Sequence, residues 1–210
     1  MVRVYSRALE RQVYPVPRRM LQNDDHERGY TLLANSPISG ISLHRRIREL
    51  DKPYSVEIRR LDDLFASSTH PENISDVQLD EYERLIEKAS KEELKSCDVI
   101  LCTCIGSASR RVVAELNVEQ IIIDECGMCT EPTCLVPLVC YPSASQVAIV
   151  GDHKQLQPIV VNYVARRFGL GKSLFERYVS QAIMLTTQYR MVCTARGAAD
   201  AKLCIDKCFI

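Results

Sequence analysis

Tryptophan is absent from this 210-residue sequence and glycine is scarce, at 8 residues. So few glycines limit the chain's capacity for Gly-rich loops that wrap phosphate. No apolar run is long enough to cross a membrane as a helix. The opening residues, Met1-Val2-Arg3-Val4-Tyr5, lack the apolar core of a signal peptide. Neither charge is in excess, with 27 basic against 27 acidic residues. That balance argues against a uniformly basic nucleic-acid binder but leaves room for a local basic groove. Internal repeats and low-complexity segments are also missing. At roughly 150 residues per domain, the length suffices for one buried core and is too short for two full α/β domains with accessories.

Cysteine, by contrast, is plentiful, with ten residues. That density is below that of a small disulfide scaffold. Several cysteines also sit in apolar runs, as in Val99-Ile100-Leu101-Cys102. The pattern reads as reduced, buried thiols in an intracellular protein of the cytoplasm or nucleus.

Three textures follow one another along the chain. Residues 1 to about 22 hold a β-type run, Val2 to Tyr5, and a stretch punctuated by Pro15 and Pro17. Residues 23 to 96 are polar with helical signals. Ile41, Leu43, His44, Ile47 and Leu50 recur near a 3.6 period, as do Tyr82, Leu85, Ile86 and Ala89. Glu87 and Lys91 form an i,i+4 pair on the exposed side. Ala66 to Asn73 reads as a loop between two helices, which makes this region a helical hairpin. From Cys97 onward short continuous apolar runs appear: Val99 to Cys102, Gln120 to Ile123, Val147 to Val150, and Ile183 to Leu185. Continuous apolarity predicts strands buried on both faces of a parallel sheet. Helical segments at Glu131 to Cys140 and Ser173 to Gln181 fit between them, giving βαβ units and an α/β fold.

Ligands of open parallel sheets bind at the carboxyl ends of the strands. The run Ile121-Ile122-Ile123 ends in Asp124-Glu125. Adjacent carboxylates at that place suit a cation or a proton to be moved. In a Walker B element, Asp124 helps hold Mg²⁺ and Glu125 orients and deprotonates the attacking water. A solvated acidic pair is the plainer alternative. One βα unit later, Val147 to Val150 runs into Gly151-Asp152-His153-Lys154-Gln155-Leu156-Gln157-Pro158, a polar stretch suited to sensing a terminal phosphate. After Ile183 to Leu185 comes Thr187-Gln188-Tyr189-Arg190-Met191. There an Arg beside an aromatic offers a phosphate clamp and a stacking surface.

These elements, in this order, resemble superfamily 1 helicases of the up-frameshift type, and among them the helicase with zinc finger 2 group. The matching text is IIIDECGMCTEP, VGDHKQLQP, SLFERY and QYRM, supported by SPISGISLHRRIREL and CDVILCTCIGSAS. The resemblance covers about residues 1 to 191 and implies a RecA-like parallel sheet of the P-loop NTPase type. Residues 23 to 96 would be a helical insertion over the nucleic-acid path, and residues 192 to 210 a divergent tail. It implies ATP and Mg²⁺ as cofactors and single-stranded RNA or DNA as partner, together with a second RecA-like domain and no membrane. Asp124 and Glu125 match the Mg²⁺ and catalytic-base pair. Gln155 matches the γ-phosphate sensor, Arg190 an arginine finger acting in cis, and Tyr189 a residue near the adenine. Thr103 and the turn Cys104, Gly106, Ser107 match a nucleic-acid backbone contact, followed by the basic pair Arg110 and Arg111.

Two departures bear on activity. The family's Walker A loop should precede the first matched segment and is not matched. Gly169-Leu170-Gly171-Lys172-Ser173 is a decoy, because Arg166 stands where the first glycine is required and a helix over Val161 to Phe168 precedes it. The text after Met191 also leaves the family pattern, for which a truncated gene model is one source. The 210 residues alone are therefore expected to be catalytically incompetent. A non-catalytic nucleic-acid-binding or protein-interaction fragment remains the alternative. Cys126-x-x-Cys129 has the gap of a zinc knuckle, with Cys204 and Cys208 as a second pair, and Cys102-x-Cys104 that of a redox pair. The resemblance instead makes Cys126 a small buried residue behind the site.

Overall fold

The computed structural model describes residues 1–6, 9–10, 39–67, 74–113, 116–185 and the backbone of 207–209. The chain divides into two units, Met1–Leu116 and Asn117–Ile210.

The first unit is mainly helical. Strand β1 (Val2–Arg3) pairs in parallel with β2 (Ile100–Leu101). Between them in sequence lie α1 (Leu43–Arg46), α2 (Ser55–Ser67) and α3 (Asp76–Lys95). A capping box starts α3. The Ser75 hydroxyl accepts from the Gln78 amide at 3.3 Å, and the Gln78 side-chain oxygen accepts from the Ser75 amide at 3.0 Å. Ile58, Leu61 and Phe65 line the inner face of α2, and Tyr82, Ala89 and Leu94 that of α3. The Phe65 and Tyr82 rings meet edge to face at 5.1 Å. Full burial of Leu43, Ile58 and Leu94 contributes about 1.5–3 kcal/mol each. Helices α2 and α3 pack together and the Glu87–Lys91 pair closes at 3.4 Å, but α2 takes in Ala66 and Ser67 of the expected loop, whose remaining residues 68–73 lie outside the described residues. Leu50 does not join the core, because α1 ends at Arg46 and the periodicity lapses before Pro53.

A buried polar network locks the hairpin to α1. Arg48 donates to both carboxylate oxygens of Asp62, at 2.7 and 3.2 Å, and to the Tyr82 hydroxyl at 2.8 Å. Tyr82 in turn donates to Asp62 at 2.8 Å. Burial pushes the Tyr82 hydroxyl's pKa well above the usual phenol value. Glu93 is closed off by Arg46 at 2.6 Å and Lys52 at 3.0 Å. Two short helices follow β2, α4 (Cys104–Ser107) and α5 (Arg110–Val113).

The second unit carries a four-stranded sheet in the order β3-β4-β6-β5. Strands β3 (Gln120–Ile123) and β4 (Gln146–Gly151) are parallel, with Ile121 opposite Val147 and Ile123 opposite Ile149. Helix α6 (Glu131–Cys140) connects them, with Pro132 tolerated in its first turn. After β4 come α7 (Tyr163–Ala165), a π turn over Arg166–Leu170, α8 (Leu174–Tyr178), and β5 (Ile183–Leu185).

Two expectations about this sheet need correction. It is mixed, because β6 (Lys207–Phe209) lies antiparallel to both β4 and β5. It is also less buried than expected. Ile121, Ile123 and Ile149 are covered, whereas Ile122 is 70% exposed, Val147 is exposed and all of β5 is exposed. Helix α6 packs on β3 and α8 on β4. The helix expected over Val161 to Phe168 forms as α7 and the π turn, closed by Gly169 at φ 98°. That positive φ is open to glycine at little cost.

Candidate functional site

The site in the second unit is built from two strand ends. Strand β3 delivers Asp124 and Glu125, both exposed, at its carboxyl end. Glu125 adopts a left-handed backbone, φ 53° and ψ 34°, which an L residue with a bulky side chain adopts at a cost. Its amide donates to Asp124 Oδ1 at 2.9 Å. The chain then turns through a 3-10 helix, Cys126–Met128, into Thr130, the N-cap of α6.

Strand β4 delivers Gly151 and Asp152 beside that turn. The two backbones touch. A Cβ on Gly127 would fall 2.5 Å from the Asp152 carbonyl oxygen, and one on Gly151 would fall 2.9 Å from the Gly127 nitrogen and 3.2 Å from the Phe175 ring. Glycine at these two positions is therefore a condition for the close approach. Asp152 is buried, and its carboxylate accepts from the Lys154 amide at 2.8 Å and from the Gln155 side-chain amide at 2.6 Å. Gln155 is thus exposed yet oriented.

Behind the acidic pair lie three thiols. Cys126 and Cys134 are fully buried with sulfurs 3.3 Å apart. The hydrogen bond from Cys134 pulls the Cys126 thiol's pKa down, and the same bond, with burial, pushes Cys134 up. No group of three or more metal-ligating side chains is placed to hold a metal ion among the described residues. Of the zinc-knuckle residues, Cys126 and Cys129 are described, while Cys204 and the side chain of Cys208 lie outside the described residues. Tyr189 and Arg190 lie outside them too.

The expected nucleic-acid residues belong to the first unit. Thr103 caps α4, its hydroxyl accepting from the Gly106 amide at 3.0 Å. Ser107 donates to the Cys104 carbonyl at 2.6 Å. Thr103 and Arg110 are exposed and close in sequence, whereas Ser107 is buried. Arg111 requires correction. It is 3% exposed and paired with Glu10 at 2.5 Å, so its guanidinium holds the N-terminal segment and is not offered to a strand. The doublet Arg110-Arg111 gave no sign of this division in sequence, since Glu10 is a hundred residues distant.

The sequence of residues 42–163 matches the family described as "AAA domain". The chain belongs to that family. Within it, the chain is of the superfamily 1, up-frameshift type. It is 44% identical over 193 residues to the human protein named 3'-5' exoribonuclease HELZ2, and 43% over 194 residues to the Mus musculus protein of that name. Each alignment takes in 90% of this chain and 6% of the relative. It is 38% identical over 160 residues to the Arabidopsis thaliana Regulator of nonsense transcripts 1 homolog, covering 75% of this chain and 12% of that one. The chain therefore spans only a small part of the length of the curated relatives it matches. The family implies a P-loop NTPase fold, in keeping with the parallel β3-α6-β4 unit.

Proposed function

We propose that this chain carries part of an ATP-dependent helicase motor, the portion of a first RecA-like domain that activates water and senses the γ-phosphate. The observation that carries this reading is the interlock of two strand ends, with Asp124-Glu125 leaving β3 and Asp152-Gln155 leaving β4 in backbone contact. Membership of the AAA domain family and similarity to relatives named as ATP-dependent helicases support it. The donor chemistry suits a nucleotide-bound magnesium ion, since exposed carboxylate oxygens at a strand end are ligands for a hard cation. Mg²⁺ bound with ATP would supply charge neutralisation on the phosphates.

In this reading Asp124 contributes to holding the metal, and the Glu125 carboxylate takes a proton from the attacking water. Gln155, whose side-chain amide is held by Asp152, would sense the γ-phosphate and report its loss to the 3-10 turn. Thr103, Cys104, Gly106 and Arg110 form a contact for the backbone of single-stranded RNA or DNA, with salt-dependent affinity, and the buried Ser107 shapes that turn through its bond to the Cys104 carbonyl. Tyr189 and Arg190 would face the nucleotide, and a second RecA-like domain would close over it. Residues 23 to 96 act as the insertion and residues 192 to 210 as the divergent tail. We place the protein inside the cell. No described helix is long and apolar enough to cross a membrane.

The residues that would hold the β- and γ-phosphates are not matched in this sequence. Gly169-Leu170-Gly171-Lys172-Ser173 follows a helical turn, and Gly169 faces open space. The 210 residues alone are thus inactive in this proposal. The test is nucleic-acid-stimulated ATPase of the full-length protein containing this domain. Glu125→Gln should lower the rate by about 100-fold or more. Equal rates would sink the assignment. Titration of the 210-residue chain with labelled ATP and with single-stranded RNA separates the alternative: RNA binding without ATP affinity marks a non-catalytic binding piece.

A further inference from the structure

Three of the ten cysteines converge behind the acidic pair, and nothing in the proposed hydrolysis uses them. Cys126 opens the 3-10 turn directly after Glu125, and Cys134 lies in α6. Both are fully buried, with their sulfurs in contact at 3.3 Å. Cys129, between them in sequence, is half-exposed, and its amide donates to the Cys126 carbonyl at 3.3 Å, which folds it back beside Cys126. A disulfide needs its sulfurs at about 2.05 Å, so closure asks for a movement of roughly 1.3 Å. The cluster thus holds a contact pair with no solvent access and a third, half-exposed cysteine in the same turn as Cys126.

We propose that Cys126 and Cys134 are a reversible disulfide site, oxidised by hydrogen peroxide entering at Cys129. Peroxide transfers one oxygen to the Cys129 sulfur, giving a sulfenic acid and one water. The Cys126 sulfur attacks the Cys129 sulfur. An S–S bond forms, the S–O bond breaks, and the hydroxyl leaves with the Cys126 proton as a second water. Cys134 then attacks Cys126, displacing Cys129, which takes up the Cys134 proton and is restored as a thiol. In sum, two thiols and one peroxide yield one disulfide and two waters. The bond tethers the turn that follows Glu125 to α6, in the same stretch where Gly127 packs on Asp152. This inference goes beyond the motor assignment and does not depend on it.

The test is peroxide titration of the folded, reduced 210-residue chain, followed by denaturing alkylation and tandem mass spectrometry. The expected product is two hydrogens lighter, with Cys126 and Cys134 alone protected from alkylation and both recovered by dithiothreitol. Cys134→Ser should arrest the sequence at a Cys126–Cys129 bond. Cys129→Ser should slow formation of the Cys126–Cys134 bond by about tenfold or more, because the entry thiol is gone. Alkylation of both Cys126 and Cys134 at doses that oxidise Cys102 or Cys129 would overturn the proposal, as would a disulfide between other cysteines. An unchanged rate in Cys129→Ser would overturn the entry route.

Discussion

Acidification from pH 7.5 to pH 5 should destabilise the first unit through one side chain, His44. The imidazole is buried in α1, with its ring 5.9 Å from that of Tyr5. Burial is the main force holding its pKa down, from 6.5 to about 4, and the positive charges of Arg48, Arg45 and Arg111 add to it. The folded value lies below the unfolded one, so the unfolded chain takes up the proton first. Stability is complete above pH 6.5 and declines as pH falls toward 4. A shift of that size costs about 2 kcal/mol at pH 5 relative to pH 7.5, rising to roughly 3 kcal/mol below pH 4. Carboxylates with ordinary unfolded values near 4 contribute mainly below pH 5. Urea denaturation followed by circular dichroism reads the effect, because the long helices α2 and α3 both belong to this unit. His44→Gln should flatten the profile between pH 5 and 7.5. A variant that loses stability over that range as steeply as the parent would refute the reasoning.

Two further substitutions probe the strand-end interlock and the divided arginine doublet. Gly127→Ala places a methyl 2.5 Å from a backbone carbonyl that cannot swing aside; it should cost about 2 kcal/mol or more, seen as faster amide exchange in β3 and β4, and unchanged exchange would contradict the contact. Arg110→Ala should weaken single-stranded RNA binding and lower the salt slope by about 1 without altering thermal unfolding. Arg111→Ala should instead strand the buried Glu10 and cost about 3 kcal/mol of stability; equal effects of the two on RNA affinity, at equal stability, would count against the division.

Local signals carried much of this architecture. The runs at Gln120–Ile123 and Ile183–Leu185 become β3 and β5, and Glu131–Cys140 becomes α6, because each has a compact apolar pattern and a clear stop. The acidic pair was legible for the same reason: a strand that ends in Asp124-Glu125 fixes where the carboxylates go. What escaped depends on distance in sequence. Arg111 finds Glu10 and Arg48 finds Asp62 only after folding. Cys126 and Cys134, eight residues apart, match neither a helical repeat nor a metal-ligand gap. Asp152 reads as one polar residue among several in its stretch, and only its burial separates it from them. Apolarity on both sides of β3 could not reveal that Ile122 would stay uncovered, since residue type reports a preference for burial and not the presence of a neighbour.

The left-handed backbone at Glu125 bears on what that residue is for. Glycine would occupy φ 53° at little cost, whereas a glutamate there forgoes about 1 kcal/mol or more. The turn itself requires the conformation. Strand β3 must reverse at once for Gly127 to slide against the Asp152 carbonyl. The backbone therefore explains the unusual φ, and it favours glycine over the residue actually present. Some other property of the side chain has to offset the strain. Glu125 is exposed, and the buried acid of this site is Asp152, which accepts from the Lys154 amide and the Gln155 side chain. What glutamate has and glycine lacks is a carboxylate held at the mouth of a parallel strand pair. Strain at such a place is an argument for chemistry. It is also why Glu125→Gln, which keeps the side-chain volume and the backbone cost while removing the proposed base, is a more decisive variant than Glu125→Gly, which would change the charge and the turn together.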